Sequence, residues 1–328
     1  MKLRIATRRS PLALAQTRWV AERIRAASPG IEIEEVQLVT QGDRVLDVPL
    51  AKVGGKGLFV TEVEQALEDG RADIAVHSMK DVPEKLAAGM ELICVPERED
   101  PHDVVITKSG EGFFDLAAGT RVGTSSLRRA VQLHAARNDV AFAVLRGNVG
   151  TRLRKLDDGE YGAIVLANAG LRRLGLAQDR KLEVLSVEHS IPAVGQGALG
   201  IEGRADDARS RALLATLEHG PTRVAVEAER AFLVALHGSC TTPLAAHARI
   251  EGGSLQIDAM VGAIDGSHVV RGGMHDWVDV TATEQAIAKA REMGRALADS
   301  LLEQGARALI DEARASSDPY VHLYSKPN

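Results

Sequence analysis

The chain has 328 residues, 45% of them hydrophobic and 26% charged, and a formal net charge of −5. That balance suits a globular protein, and the length is too great for one ordinary core, so two or three domains are expected. Aromatics are only 3%, which argues against stacking surfaces for single-stranded nucleic acid, and no stretch approaches the roughly 20 apolar residues of a membrane span.

Residues 1–6 lead directly into a strand pattern, with no basic segment and long apolar run, so no secretory leader is expected. Residues 2–7 read as a strand. Ser10 and Pro11 then open a helix as N-cap and first-turn proline, which Pro29-Gly30 ends. A second strand is expected at 31–39. Thr61 and Glu64 have capping-box spacing for another helix, and 72–77 is a short apolar strand. Strands alternating with helices imply βαβ units and a mostly parallel sheet. The charged segment EREDPHD (97–103) reads as a crossing into a second α/β run. Its expected strands are 104–107, 121–123, 141–145 and 163–166, and its helices are 126–136 and 149–156. The Gly/Pro segment IPAVGQG (191–197) is the candidate return. Beyond residue 221 the pattern changes: a helix over 223–236, three strand-like runs with turns at Gly252-Gly253 and Asp265-Gly266, then helices near 284–304 and 306–315. In the middle run Leu255, Ile257, Ala259 and Val261 alternate, as in a strand with one buried face. The tail after Ser316 is polar and expected to be loose.

Cys94 and Cys240 are far apart, so neither a disulfide framework nor a zinc site is indicated, and no histidine spacing suggests a metal. Reduced thiols point to the cytoplasm. Between residues 121 and 175, ten Arg or Lys stand against four acids. A basic island in an acidic chain suits a small polyanion better than a DNA backbone.

Five segments could carry chemistry. ADIAVHSMKDVP (72–83) puts Ser78, Lys80 and Asp81 just past a buried strand, where α/β sheets bind ligands; for any one of these residues the pattern alone favours the plainer reading, a surface turn in which Asp81 only caps the next segment. VGTSSLRR (122–129) and LRGNVGTR (145–152) both run from strand end to helix start, where free N–H groups bind anions. Arginines in a first turn oppose the helix dipole, so a bound carboxylate would account for Arg128 and Arg129; two solvated arginines behind a cap are the plain alternative. LAKVGGKGLF (50–59), with Lys52, Lys56 and Phe59, reads as a mobile cationic loop or an ordinary linker. HGSCTTP (237–243) holds Cys240 in a small-residue loop. A lone cysteine is usually a small buried hydrophobe, and Cys94 is assigned to that role.

Seven stretches in order resemble the hydroxymethylbilane synthase (porphobilinogen deaminase) family over essentially the whole chain: IATRRSPLAL (5–14), AKVGGKGLF (51–59), HSMKDVP (77–83), 122–129, 145–152, PAVGQG (192–197) and the Cys240 loop. The resemblance implies an α/β fold with two periplasmic-binding-protein-like lobes and a small α+β third domain. The expected division is 1–98 plus 194–217, 99–193 and 218–328. It implies a covalent dipyrromethane cofactor on Cys240 by thioether, Asp81 as catalytic residue, and porphobilinogen as substrate. Arg8, Ser10, Lys80, Asp81, Ser126, Arg128, Arg129 and Arg146 match cofactor-holding positions. Arg8, Arg146, Arg152 and Arg173 match substrate-side positions, and 52–59 matches the mobile loop. Ser239 and His237 depart from the commonest family residues. No metal, nucleic acid, membrane or partner subunit is expected. The alternatives are a non-catalytic two-lobed anion binder and a thiol hydrolase using Cys240 and His237.

Overall fold

The computed structural model describes residues 2–40, 60–178, 180–238, 242–281, 283–318, 320–321 and 323–324. The first lobe is built on β1 (Lys2–Arg8), β2 (Glu32–Leu38), β3 (Ile74–Ser78) and β4 (Met90–Cys94), with β10 (Leu199–Arg204) inserted from later in the chain. The strand order is β2-β1-β3-β10-β4. Helix α1 (Pro11–Ala27) covers one face, where Leu3 and Ile5 meet Val20 and Ile24. Helix α2 (Thr61–Glu68) covers the other, where Ala6 and Ala75 meet Val63, Ala66 and Leu67. A sheet covered on both faces explains why β3 begins as an unbroken apolar run, IAV, and why Leu3, Ile5 and Ala6 of β1 are all buried.

The second lobe repeats the plan with β5 (Asp103–Thr107), β6 (Arg121–Gly123), β7 (Ala141–Ala143), β8 (Ala163–Ala167) and β9 (Leu182–Val184), in the order β7-β6-β8-β5-β9. Its helices are α3 (Leu127–Ala136), α4 (Val149–Asp157) and α5 (Asn168–Arg173); α6 (Ala208–Leu214) returns to the first lobe. The sheets are mixed, not mostly parallel as the sequence suggested. β10 runs antiparallel to β3 and β4, and β5 runs antiparallel to β8 and β9. Both are the strands that adjoin the crossings, and each enters its sheet against the βαβ direction.

In the third domain β11 (Leu244–Glu251), β12 (Ser254–Gly262) and β13 (Val269–Trp277) form an antiparallel sheet under α7 (Gly220–Ala235) and α8 (Thr283–Leu301), with α9 (Arg307–Ala315) following. Leu255, Ile257, Ala259 and Val261 share a core with Phe232 and Leu297, as the alternation predicted. Helices α7 and α8 cross closely: a Cβ on Gly294 would lie 2.1 Å from the Ala228 carbonyl oxygen. The fold class expected from the sequence is therefore present, as two α/β lobes and a small α+β domain.

Two local expectations fail. Thr61 is the first residue of α2 and not its cap, and Glu64 accepts a bond from Ala87 N at 2.9 Å in place of closing a capping box. The described part of the tail is not all loose: Tyr324 is 7% exposed, packed in the second lobe's core.

The crossings are tied by one carboxylate. Glu229 on α7 has no exposed surface and accepts from Arg98 Nη1 (2.6 Å), Gly195 N (2.6 Å) and Ala248 N (2.7 Å). Among the described residues no helix is long and apolar enough to cross a membrane, and no group of acidic, His or Cys side chains could hold a metal.

Candidate functional site

On the first-lobe side, β1 ends at Arg8 and Ser10 caps α1, its Oγ accepting from Ala13 N at 3.3 Å. β3 ends at Ser78 and a single tight turn, Met79–Asp81, follows. Gln16 binds Ser78 Oγ at 2.8 Å and so fixes the end of β3 to α1. These strand ends enclose a cavity of about 60 Å³ lined by Arg8, Ser10, Gln16, His77, Ser78 and Asp81. The structure thus brings together three residues that the sequence marked separately: Arg8, Ser10 and Asp81. Lys80 is exposed by surface area, yet protein around its ammonium strips hydration and lowers its pKa; Asp81 opposes the shift, and Arg129 across the cleft adds to it.

On the second-lobe side, Ser126 caps α3 and Asn148 caps α4. Gly147 sits at φ +109°, and a Cβ there would strike the Thr151 side chain at 2.7 Å, so the loop carrying Arg146 needs glycine at this position. Arg146 is half-buried, and its Nε is buried without a hydrogen-bond partner among the described residues. Arg152 Nε donates to Gly147 O at 2.8 Å. Its pKa is pushed down to about 10, first by burial and then by Arg129 and Arg146. Arg173 donates to Gly197 O at 2.7 Å and is likewise lowered to about 10 by burial, with Glu99 opposing.

Arg128 and Arg129 are placed differently from the other arginines. The carboxylate that answers them is Asp103, the buried first residue of β5. Arg128 Nη1 lies 2.7 Å from Oδ2, and Arg129 Nε 2.9 Å from Oδ1. Ser190 and Gln196 each donate to the same carboxylate at 2.8 Å. These cations hold the Asp103 carboxyl far below the usual range against the opposing effect of burial. First-turn arginines did require a carboxylate, but the chain supplies its own. The signal was an acid leading the apolar run DVVIT; its partners, 25 and 26 residues on, could not be read from the sequence.

A second pair lies at the wall of the cavity. His77, expected at a strand end to be structural, has Nε2 2.8 Å from Oε2 of Glu202, a fully buried acid on β10. Glu202 stood out as a charge inside the apolar strand LGIEGR. His237 lies two residues beyond α7 at φ +48°, and its carbonyl accepts from Arg314 at 2.9 Å. Cys240, Ser239, Lys52, Lys56 and Phe59 lie outside the described residues. Cys94 is buried, its Sγ 3.6 Å from Leu214 O and its thiol pushed up by burial, as expected of a core cysteine.

A group bearing several carboxylates fits this cleft. Arg146 and Arg152 approach each other and Arg129, and no carboxylate of the chain is bonded to either among the described residues.

Among solved structures, the regulatory domain of an OxyR2 variant from Vibrio vulnificus is 16% identical over 66% of this chain and 92% of that one, with a TM-score of 0.40. An amino-acid ABC transporter extracellular-binding protein from Bacillus subtilis is 11% identical over 66% and 90%, also with a TM-score of 0.40. Both are distant likenesses. Family models match far more specifically. Residues 3–212 match the model described as porphobilinogen deaminase, dipyromethane cofactor binding domain. Residues 224–303 match the porphobilinogen deaminase C-terminal domain. These matches run through both lobes and most of the third domain, and the chain belongs to the porphobilinogen deaminase family.

Proposed function

We propose that the cleft between the lobes is where the family's reaction takes place, with Asp81 as the catalytic carboxylate and the basic loops of the second lobe as carboxylate holders. The activity is that of a hydroxymethylbilane synthase, a transferase of tetrapyrrole biosynthesis that deaminates porphobilinogen and joins four units head to tail. The single observation that carries the site assignment is the pair Arg146 and Arg152, crowded cations bonded to no carboxylate among the described residues. Porphobilinogen has two carboxylates, which such arginines can grip by charge-assisted forks.

Dipyrromethane, held in this reading by a thioether to Cys240, supplies the pyrrole end to which substrate units are added. Arg8, Ser10, Lys80 and Ser126 hold its carboxylates, together with Arg146. Arg152 and Arg173 serve the incoming substrate. Arg128 and Arg129 contribute through the shape of the second lobe, since Asp103 occupies their guanidinium groups. As ammonia leaves porphobilinogen, positive charge develops on the pyrrole ring. Asp81, on the wall of the small cavity, offsets that charge with a carboxylate fixed in advance.

The division into 1–98 plus 194–217, 99–193 and 218–328 belongs to the same reading, as do a monomeric state, a cytoplasmic location and the lack of a nucleic-acid partner. The net charge of −5 and the buried free thiol of Cys94 support the last two.

Intact-mass spectrometry tests the assignment. Purified protein is expected to exceed its sequence mass by two porphobilinogen units less two ammonias, and the excess should survive denaturation. Cys240→Ser should lose both the excess and turnover. A bare chain in active protein overturns the thioether, and a bare chain that releases no ammonia favours a non-catalytic anion binder.

A further inference from the structure

The chain leaves the third domain after α9, and the described residues Tyr320, Leu323 and Tyr324 lie on the second lobe. The Tyr324 backbone bridges Phe142 in parallel and so extends the sheet beyond its edge strand β7. Its ring is buried with Phe113, Leu127 and Phe142. Leu323 packs where the second lobe meets the third domain, beside Val131, Ile191 and Met260. Tyr320 stands edge-on to Tyr324, with ring centroids 5.1 Å apart and an interplanar angle of 74°. Its hydroxyl donates to the Ser125 carbonyl at 3.2 Å. Ser125 Oγ in turn donates to the Leu145 carbonyl at 2.5 Å.

Ser125 precedes Ser126, and Leu145 precedes Arg146. Two successive hydrogen bonds therefore connect the tail to the backbones of both anion-facing loops. We propose that the tail is a strap that sets these loops at carboxylate-binding geometry, with Tyr324 as its anchor and Tyr320 as a positioning residue. The inference rests on the reading of Ser126 and Arg146 as carboxylate holders. A clamp that served only stability would need the anchor and the Leu323 contact. The hydroxyl adds to that anchor a bond to the carbonyl beside the α3 cap.

The two roles separate by substitution. Tyr320→Phe keeps the ring and its packing on Tyr324 and removes the hydroxyl that bonds the Ser125 carbonyl. Full-length, cofactor-loaded protein is compared with the variant for KM and kcat on porphobilinogen and for the urea midpoint. One lost hydrogen bond should raise KM roughly 2- to 10-fold, with the midpoint nearly unchanged and the intact mass still showing the adduct. Ser125→Ala, which cuts the next bond, should raise KM similarly, and the double variant should be less impaired than the two effects multiplied. A Tyr320→Phe protein with unchanged KM overturns the strap, whether or not its stability falls. Arg146→Ala distinguishes the two levels of failure. If it slows chain extension while Tyr320→Phe is normal, only the strap is wrong; if Arg146→Ala is itself normal, the site assignment beneath it fails.

Discussion

Replacing Arg152 by Gln should separate binding from stability, because the structure places this cation where the fold gains little from it. Arg152 lies in the first turn of α4, where a positive charge opposes the helix dipole by about 0.3–1 kcal/mol. Its neighbours Arg129 and Arg146 repel it. Its side-chain bond among the described residues, from Nε to Gly147 O at 2.8 Å, is of a kind that contributes about 1 kcal/mol. These effects nearly cancel, so folding stability should change by less than about 1 kcal/mol. A lost charge-assisted contact to a substrate carboxylate costs about 1.5–3 kcal/mol, which corresponds to roughly 10- to 150-fold in affinity. Urea unfolding reports the first quantity. Rapid-quench mass spectrometry of the chain-length intermediates reports the second, and the substituted protein should accumulate partly extended forms. A stability loss above about 2 kcal/mol with normal extension would show that Arg152 is a structural cation and refute the reasoning.

Asp103→Asn should have the opposite character. It strands two arginines, each 6% exposed, and should cost about 3–5 kcal/mol, visible as a lower urea midpoint; a loss below about 1 kcal/mol contradicts the counter-ion role. Acid sensitivity should follow from Glu229. Burial alone would raise its pKa, but Arg98 and His247 bring it from 4.5 down to about 2. The folded pKa is thus the lower one, so its contribution is complete above pH 4.5 and fades as pH falls towards 2. Urea midpoints measured across that window should decline more steeply in the parent than in Glu229→Gln. Cys94→Ala should keep the adduct and most turnover, with a modest stability loss from the vacated core volume; inactivity in the folded protein would overturn its assignment.

The sequence was most legible where one period or one cap determined the outcome. Ser10-Pro11 opened α1, and the alternation from Leu255 to Val261 gave β12. Short elements escaped because they carry little pattern. The helix Asn168–Arg173 has no side-chain cap, and Leu182–Val184 is a three-residue edge strand. Arg8, Ser10 and Asp81 could be marked one at a time, but their meeting at one cavity depends on β1 and β3 being neighbours in the sheet. The counter-ion role of Asp103 was out of reach because burial and partner are both long-range properties. The tail did carry an unread signal. Tyr320, Leu323 and Tyr324 have helical spacing in an otherwise polar stretch and include two of the chain's three tyrosines.

The placement of Glu229 restricts how the molecule can open. Its carboxylate grips Arg98 on the outgoing crossing, Gly195 on the returning one and Ala248 in the third domain. Pulling either crossing away from α7 would strand a buried charge. Glu229 therefore works as a rivet. It fixes both crossing segments to one point of the third domain, so any rearrangement of the lobes has to leave that point in place.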